Sequence, residues 1–136
     1  MRIAKIEAHP VRVPMRRFSD AYSDYLTGEF VLVKIESDTG VIGYGEAPCT
    51  VTVGFYGETL ETATASIRNH IAPKLVGEDP LNIRRTTSVM NIALGDSVIA
   101  KTGVDLALYD LAGKALGVPT HALLGGIQRE SVDAAC

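Results

Sequence analysis

Residues 103–126 read GVDLALYDLAGKALGVPTHALLGG, and the first half of that stretch constrains the chain more than any other. Val104, Leu106, Ala107, Leu108, Leu111, Ala112, Ala115 and Leu116 place apolar side chains nearly all the way round a helix. Such a helix cannot face water along a whole side and must be covered on several. Only residues 127–136 follow Gly126. The cover therefore has to come from the preceding hundred residues or from outside the chain.

The preceding residues carry strand signals first and helix signals after. Residues 2–13 (RIAKIEAHPVRV) are rich in Ile and Val, with Pro10 marking a bulge or an edge position. In EFVLVKIES (29–37), Val31, Val33 and Ile35 share one face while Phe30, Leu32, Lys34 and Glu36 share the other. DTG (38–40) supplies turn chemistry and VIGYGEA (41–47) returns as a partner strand, so a hairpin is expected. Gly43 and Gly45 fall on the same face of that returning strand, leaving it bare enough for another backbone to lie close. From residue 58 the period changes: Leu60, Ala63, Ile67 and Ile71 form one helical stripe that should end near Pro73. Asp79 is the expected N-cap of a second helix, with Pro80 at its first position and an end near Leu94. Asp96 or Ser97 should cap the third helix, which stops where Gly117 can turn left-handed and Pro119 prevents continuation. Strands and helices in separate blocks define an α+β domain, a three-stranded antiparallel sheet followed by a three-helix bundle.

Two stretches interrupt that plan. MRRFSDAYSDYLTG (15–28) is longer than a hairpin turn requires, and PCTVTVGFYG (48–57) joins the sheet to the helices. Loops of such length in a compact domain are commonly functional. They hold Phe18, Tyr22 and Tyr25 in the first and Val51, Val53, Phe55 and Tyr56 in the second, side chains that either fold back onto the core or cover something else.

Groups able to do chemistry are sparse. No H-E-x-x-H, phosphate-binding loop, nucleophile elbow or calcium-loop spacing occurs. His9, His70 and His121 are scattered over a strand, a helix and a loop and read as surface residues. Asp20 and Asp24 read as a solvated loop face, and Asp110 with Lys114 as a stabilising pair one helical turn apart. GYGE (43–46) lacks dinucleotide spacing. Glu46 suits a substrate-side acid or a backbone partner equally. Cys49 and Cys136 have no C-x-x-C spacing and read as plain thiols. With 46% hydrophobic residues, 21% charged and a net charge of −3, the chain is globular and offers no basic footprint for nucleic acid or anionic membrane. MRIAKIEAHPVRVPM is neither a signal peptide nor a membrane span, which makes the cytoplasm the expected location.

The run AKTGVDLALYDLAGKALGVPTHALLGG (100–126) resembles the signature helix of the mandelate racemase and muconate lactonizing enzyme family of the enolase superfamily. The resemblance is carried by Ala100, Gly103, Val104, Asp105, Ala107, Leu108, Asp110, Leu111, Gly113, Lys114, Pro119, Leu123, Leu124 and Gly125. VLVKIESDTGVIGYGEA (31–47) is similar to the family's N-terminal hairpin, and IAPKLVGEDPLNI (71–83) to the passage between its first two helices. Thr102 and Thr120 depart from the pattern, where a smaller and an aliphatic residue are usual.

The resemblance implies an N-terminal capping domain over residues 1–126, with 127–136 beginning a (β/α) barrel whose remainder is missing. It implies that the signature helix packs on that barrel, with Ala107 and Gly113 permitting close approach. Proton abstraction α to a carboxylate, with Mg²⁺ in the full-length enzyme, belongs to the ends of the barrel strands. Lys5, Lys34, Lys74, Lys101 and Lys114 contain no Lys-x-Lys pair, so no catalytic and no metal residue is assigned here. What carries over is a pair of substrate-binding loops, with Phe18, Tyr22 and Tyr25 in one and Val51, Phe55 and Tyr56 in the other. Val51 and Tyr56 match positions where muconate-type members touch substrate. Their apolar character suggests a small-molecule carboxylate with a hydrophobic distal part rather than a sugar acid. A homo-oligomer is expected. The rival expectation is a non-catalytic interaction domain that self-associates through an exposed face of the 97–117 helix.

Overall fold

The computed structural model describes residues 1–19, 24–50 and 57–133. Strands β1 (Ile3–Ser19), β2 (Asp24–Ser37) and β3 (Ile42–Pro48) form one antiparallel sheet in the order β1-β2-β3. Helix α1 is built of three segments, an α-helical Leu60–Ala65, a π turn Ser66–Ile71 and an α-helical Ala72–Leu75. Helices α2 (Ile83–Ala93), α3 (Val98–Leu116) and the short α4 (Thr120–Leu123) follow. None is long and apolar enough, among the described residues, to cross a membrane.

The alternation of β2 sends Val31, Val33 and Ile35 inward, and all three are fully buried. Across the sheet their inward rows run Pro10, Val31, Ala47; then Ala8, Val33, Gly45; then Ile6, Ile35, Gly43. Each row thus ends on β3 with little or no side chain, and α3 sits in the trough. A Cβ on Gly43 would lie 2.2 Å from the Ala107 carbonyl oxygen, and one on Gly45 2.1 Å from that of Gly103. Helix backbone therefore rests directly on strand backbone. The helix meets the strand with its own small residues, since Gly103 faces Ala47 and Val33.

That contact answers most of the problem posed by the apolar helix. Ala100, Gly103, Val104, Ala107, Leu108, Leu111 and Ala112 are buried, and all but Gly103 and Ala112 join one core with Leu60, Ala63, Ile67, Ile71 and Leu75 of α1 and Met90 of α2. Burying each large aliphatic side chain contributes about 1.5–3 kcal/mol before chain entropy is charged against it. Leu106 and Leu116 remain 48% and 54% exposed, so the helix is covered on most of its circumference and not on all. Ala107 approaches its own sheet, and the space beside Gly113 is taken by the Val118 carbonyl, so within this chain neither small residue is an open contact point.

The Asp110–Lys114 pair forms, at 2.6 Å, and does more than brace its own helix. Asp110 Oδ2 accepts the Tyr44 N–H (2.7 Å), and Lys114 Nζ donates to the Ile42 carbonyl (3.1 Å) and lies 5.2 Å from the Tyr44 ring centroid. Backbone groups on the outer edge of β3 are thereby satisfied by side chains of α3.

Several local expectations change. Pro10 does lie on an edge strand, but the irregularities of β1 fall between Ile3 and Lys5 and between Pro14 and Phe18. Of the stretch 15–28, residues 15–19 continue β1 and 24–28 belong to β2 rather than to an irregular loop, and 20–23 lie outside the described residues. The first helix passes Pro73 and ends at Leu75: proline has no N–H to give and crowds the carbonyl four residues back, and the wider turn before it, with the Ala72 N–H reaching Ile67, carries the chain across. Asp79 does not cap the second helix. Its carboxylate takes the Leu81 N–H (3.0 Å) in a local turn, and Asn82 caps instead, accepting from Arg85 N. Asn82→Ala should therefore cost about 1 kcal/mol in urea unfolding, and more than Asp79→Ala. The other end signals hold, with α2 finishing at Ala93 and Gly117 closing α3 at φ 67°. Residues 127–133 have no regular structure and are exposed.

Candidate functional site

Beyond Val13 and Gly28, strands β1 and β2 leave the body of the sheet as a two-stranded arm. Its ladder runs through Val13 opposite Gly28 and Pro14 opposite Thr27, shifts, and resumes with Phe18 opposite Tyr25 and Ser19 opposite Asp24. Near the tip, Asp24 accepts from Ser19 and Arg17, and these two contacts, the hydroxyl first, hold its carboxyl below the usual range. The arm presents Val13, Met15 and Leu26 as exposed apolar side chains. At its base Gly28 leaves room for the Phe30 ring, since a Cβ there would meet Phe30 Cε2 at 2.6 Å.

The second loop starts against the foot of this arm. Glu29 is the junction: its carbonyl accepts the Cys49 N–H (2.8 Å) and the Thr50 hydroxyl (3.2 Å), and its N–H donates to Thr50 Oγ1 (2.7 Å). Its side chain binds Arg12 (2.7 Å), whose other arm reaches Glu61 of α1 (2.8 Å). Strand, arm and helix are thus tied together where both loops begin.

The far end of the second loop is held by Glu58. This side chain, from a residue only 7% exposed, reaches the start of α3 and accepts from Ile99 N (2.7 Å) and Ala100 N (3.4 Å). Ser97, expected as a possible cap along with Asp96, takes a left-handed φ of 69° and makes no side-chain cap; its hydroxyl meets that of Ser66 instead. A carboxylate on otherwise partnerless N–H groups at a helix start is favoured by hydrogen bonding and by the helix dipole together. Directly after Glu58, Thr59 and Thr62 form a capping box that starts α1.

Of the side chains singled out from the sequence, Tyr25 is half-buried on the arm. Phe18 has its backbone paired to Tyr25, but its side chain lies outside the described residues, as do Tyr22, Val51, Phe55 and Tyr56 whole. His9 pairs with Glu7 at 3.2 Å on the outer face of the sheet, while His70, His121 and Glu46 are exposed and not gathered into one site. Among the described residues no group of three His, Cys, Asp or Glu side chains could hold a metal ion. The Cys49 thiol is pushed up to about 11 by burial and by the carboxylates of Glu58, Glu29 and Glu61. A thiol so protonated is a poor nucleophile. Among the described residues of these two segments no acid–base pair is assembled. Sequence reading missed Glu29, Thr50 and Glu58, and no local spacing could have related Glu58 to a helix start that follows 41 residues later.

Residues 4–125 match the family described as mandelate racemase / muconate lactonizing enzyme, N-terminal domain. N-succinyl-L-Arg/Lys racemase of Bacillus cereus is 33% identical over 131 residues, which is 96% of this chain and 35% of that protein. Its crystal structure superimposes with a TM-score of 0.90. Cis-3-hydroxy-L-proline dehydratase of Roseibium aggregatum is 36% identical over 97% of this chain and 36% of its own length. The muconate lactonizing enzyme of Pseudomonas fluorescens, solved with muconolactone, is 29% identical with a TM-score of 0.90, covering 95% of this chain and 35% of that one. The fold is an enolase-superfamily N-terminal domain. The chain belongs to the mandelate racemase / muconate lactonizing enzyme family, and it spans about 35% of the length of the curated relatives it matches.

Proposed function

We propose that this domain caps a downstream (β/α) barrel and that the arm at 15–28 and the loop at 48–57 enclose the distal part of a small carboxylate substrate. The reaction would be abstraction of a proton α to that carboxylate, leading to racemisation, cycloisomerisation or elimination. The observation that carries the reading is the common root of the two segments. Glu29 joins their bases at one end of the sheet, and Glu58, just past the second segment, is bonded to the start of α3. Relatives that are racemases, dehydratases and cycloisomerases, and neighbours solved with muconolactone or with a dipeptide and Mg, support it.

Among the described residues no group of side chains suits a divalent cation, and its ligands and the base are assigned to the barrel. Bound there, Mg²⁺ would stabilise the enolate oxygens as the proton leaves. This domain's share is to exclude water and to select the group at the far end of the substrate. Val13, Met15 and Leu26 on the arm favour an apolar group there. Full-length enzyme with Mg²⁺, screened against N-acyl amino acids, hydrophobic dipeptides, muconates and sugar acids, should turn over members of the first three classes. Turnover of sugar acids alone would sink the specificity reading, and a gene product ending near residue 136 would sink the capping reading.

A further inference from the structure

The uncovered side of α3 holds a cleft of about 560 Å³ between α2 and α3, where Asp105 stands among Met90, Val98, Thr102, Leu106 and Tyr109. The Asp105 carboxyl is half-buried. Burial pushes it above the usual carboxylate range and the Thr87 hydroxyl pulls the other way, although that hydroxyl also bonds the Ile83 carbonyl at 2.9 Å. No ion pair reaches Asp105 among the described residues. Lys101, one turn back and lining the same cleft, directs its ammonium to Asn91 Oδ1 (3.1 Å) and the Gly95 carbonyl (3.2 Å). Beside this carboxylate Val98 and Leu106 are exposed.

A half-buried carboxylate without a counter-charge is costly in isolation, and it becomes favourable when a hydrogen-bonding cation is brought to it. The exposed aliphatic neighbours would cover the stem of a long basic side chain, as such stems favour. A planar guanidinium could engage both carboxylate oxygens at once and loses less hydration than an ammonium. A single carboxylate is too few ligands for a divalent ion.

We propose that the α2–α3 cleft receives an arginine side chain from the downstream domain of the full-length protein, paired with Asp105 and flanked by Val98 and Leu106. The occupant is assigned by charge complementarity and by length, since relatives extend to almost three times this chain. The inference rests on the reading of this chain as one domain of a longer enzyme.

The test uses the full-length protein. Its intact mass first shows whether a further domain follows, an outcome that bears on the functional reading independently of Asp105. Carboxyl labelling with a carbodiimide and glycine ethyl ester under native conditions, read by mass spectrometry, should then modify Asp105 about tenfold more slowly than the exposed Asp38. Asp105→Lys should speed tryptic cleavage after Arg129 by about tenfold, while Asp105→Glu should stay within about twofold of wild type. Labelling of Asp105 at the rate of Asp38, or an unchanged cleavage rate in a folded Asp105→Lys protein, would overturn the proposal. Protection lost on dilution would do so as well, by assigning the cleft to a second copy. Labelling of the wild-type protein needs no variant, so equal rates at Asp105 and Asp38 would overturn the proposal even if Asp105→Lys does not fold.

Discussion

Gly43→Ala is expected to destabilise the domain by about 3 kcal/mol or more, a large share of the total stability of a domain this size. The added methyl would lie 2.2 Å from the Ala107 carbonyl oxygen, 2.6 Å from Leu111 Cβ and 2.7 Å from Leu111 N. Two of those atoms are helix backbone, so no rotamer change relieves the clash. Either α3 lifts off the sheet, uncovering Val33, Ile35 and Leu111, or β3 parts from β2. Gly95→Ala is the control: a Cβ there meets nothing within 4 Å, and its effect should stay within about 0.5 kcal/mol. Urea unfolding followed by circular dichroism reads both. A Gly43→Ala protein as stable as the Gly95→Ala control would show that α3 does not rest on β3 as described.

The second large effect is expected at Glu58. Glu58→Ala removes the acceptor for Ile99 N and Ala100 N at the start of a 19-residue helix and leaves the carboxylate's buried place empty. Losing a charged cap and stranding buried donors should cost about 2–4 kcal/mol. Glu58→Gln keeps one oxygen acceptor and most of the shape, and should lose about 1 kcal/mol, chiefly the charge's interaction with the helix dipole. In the full-length enzyme the same substitutions release one root of the loop at 48–57. If that loop holds the substrate's distal part, Glu58→Gln should raise KM for the best substrate more than it lowers kcat. Equal stability of Glu58→Ala and wild type would remove Glu58 as the anchor.

How far the sequence could be read depends on the range of the interaction concerned. Val31, Val33 and Ile35 announced their face because a strand's period of two repeats over every neighbour, and Gly43 with Gly45 announced a close approach because two missing side chains fell on that same face. Helix α3 was legible through its composition. The caps were not. Asp79 followed by Pro80 satisfies a local rule for a helix start, yet the Asp79 carboxylate is already engaged by Leu81 N, and the chain defers the helix to Asn82. The cap of α3 comes from Glu58, across the fold, where no window of sequence would look. The arm was hidden by its register shift: Met15, Arg16 and Arg17 stand against Leu26 alone, which breaks the alternation that would have marked a strand. The sequence marked 15–28 and 48–57 by their length and aromatic residues, and of those side chains only Tyr25 falls among the described residues. The organising residue of the candidate site, Glu29, looked like the first polar position of a strand.

The way α3 treats the border of β3 bears on how such a domain survives at high concentration in a cell. A bare strand border is a template on which another polypeptide can be laid down, hydrogen bond by hydrogen bond, toward aggregates and amyloid. Here Asp110 and Lys114 occupy the sites a newcomer would need at Tyr44 and Ile42. On the opposite border Pro10 and Pro14 have no amide proton to offer. Substituting Asp110 or Lys114 would therefore be felt as insolubility before it was felt as lost stability.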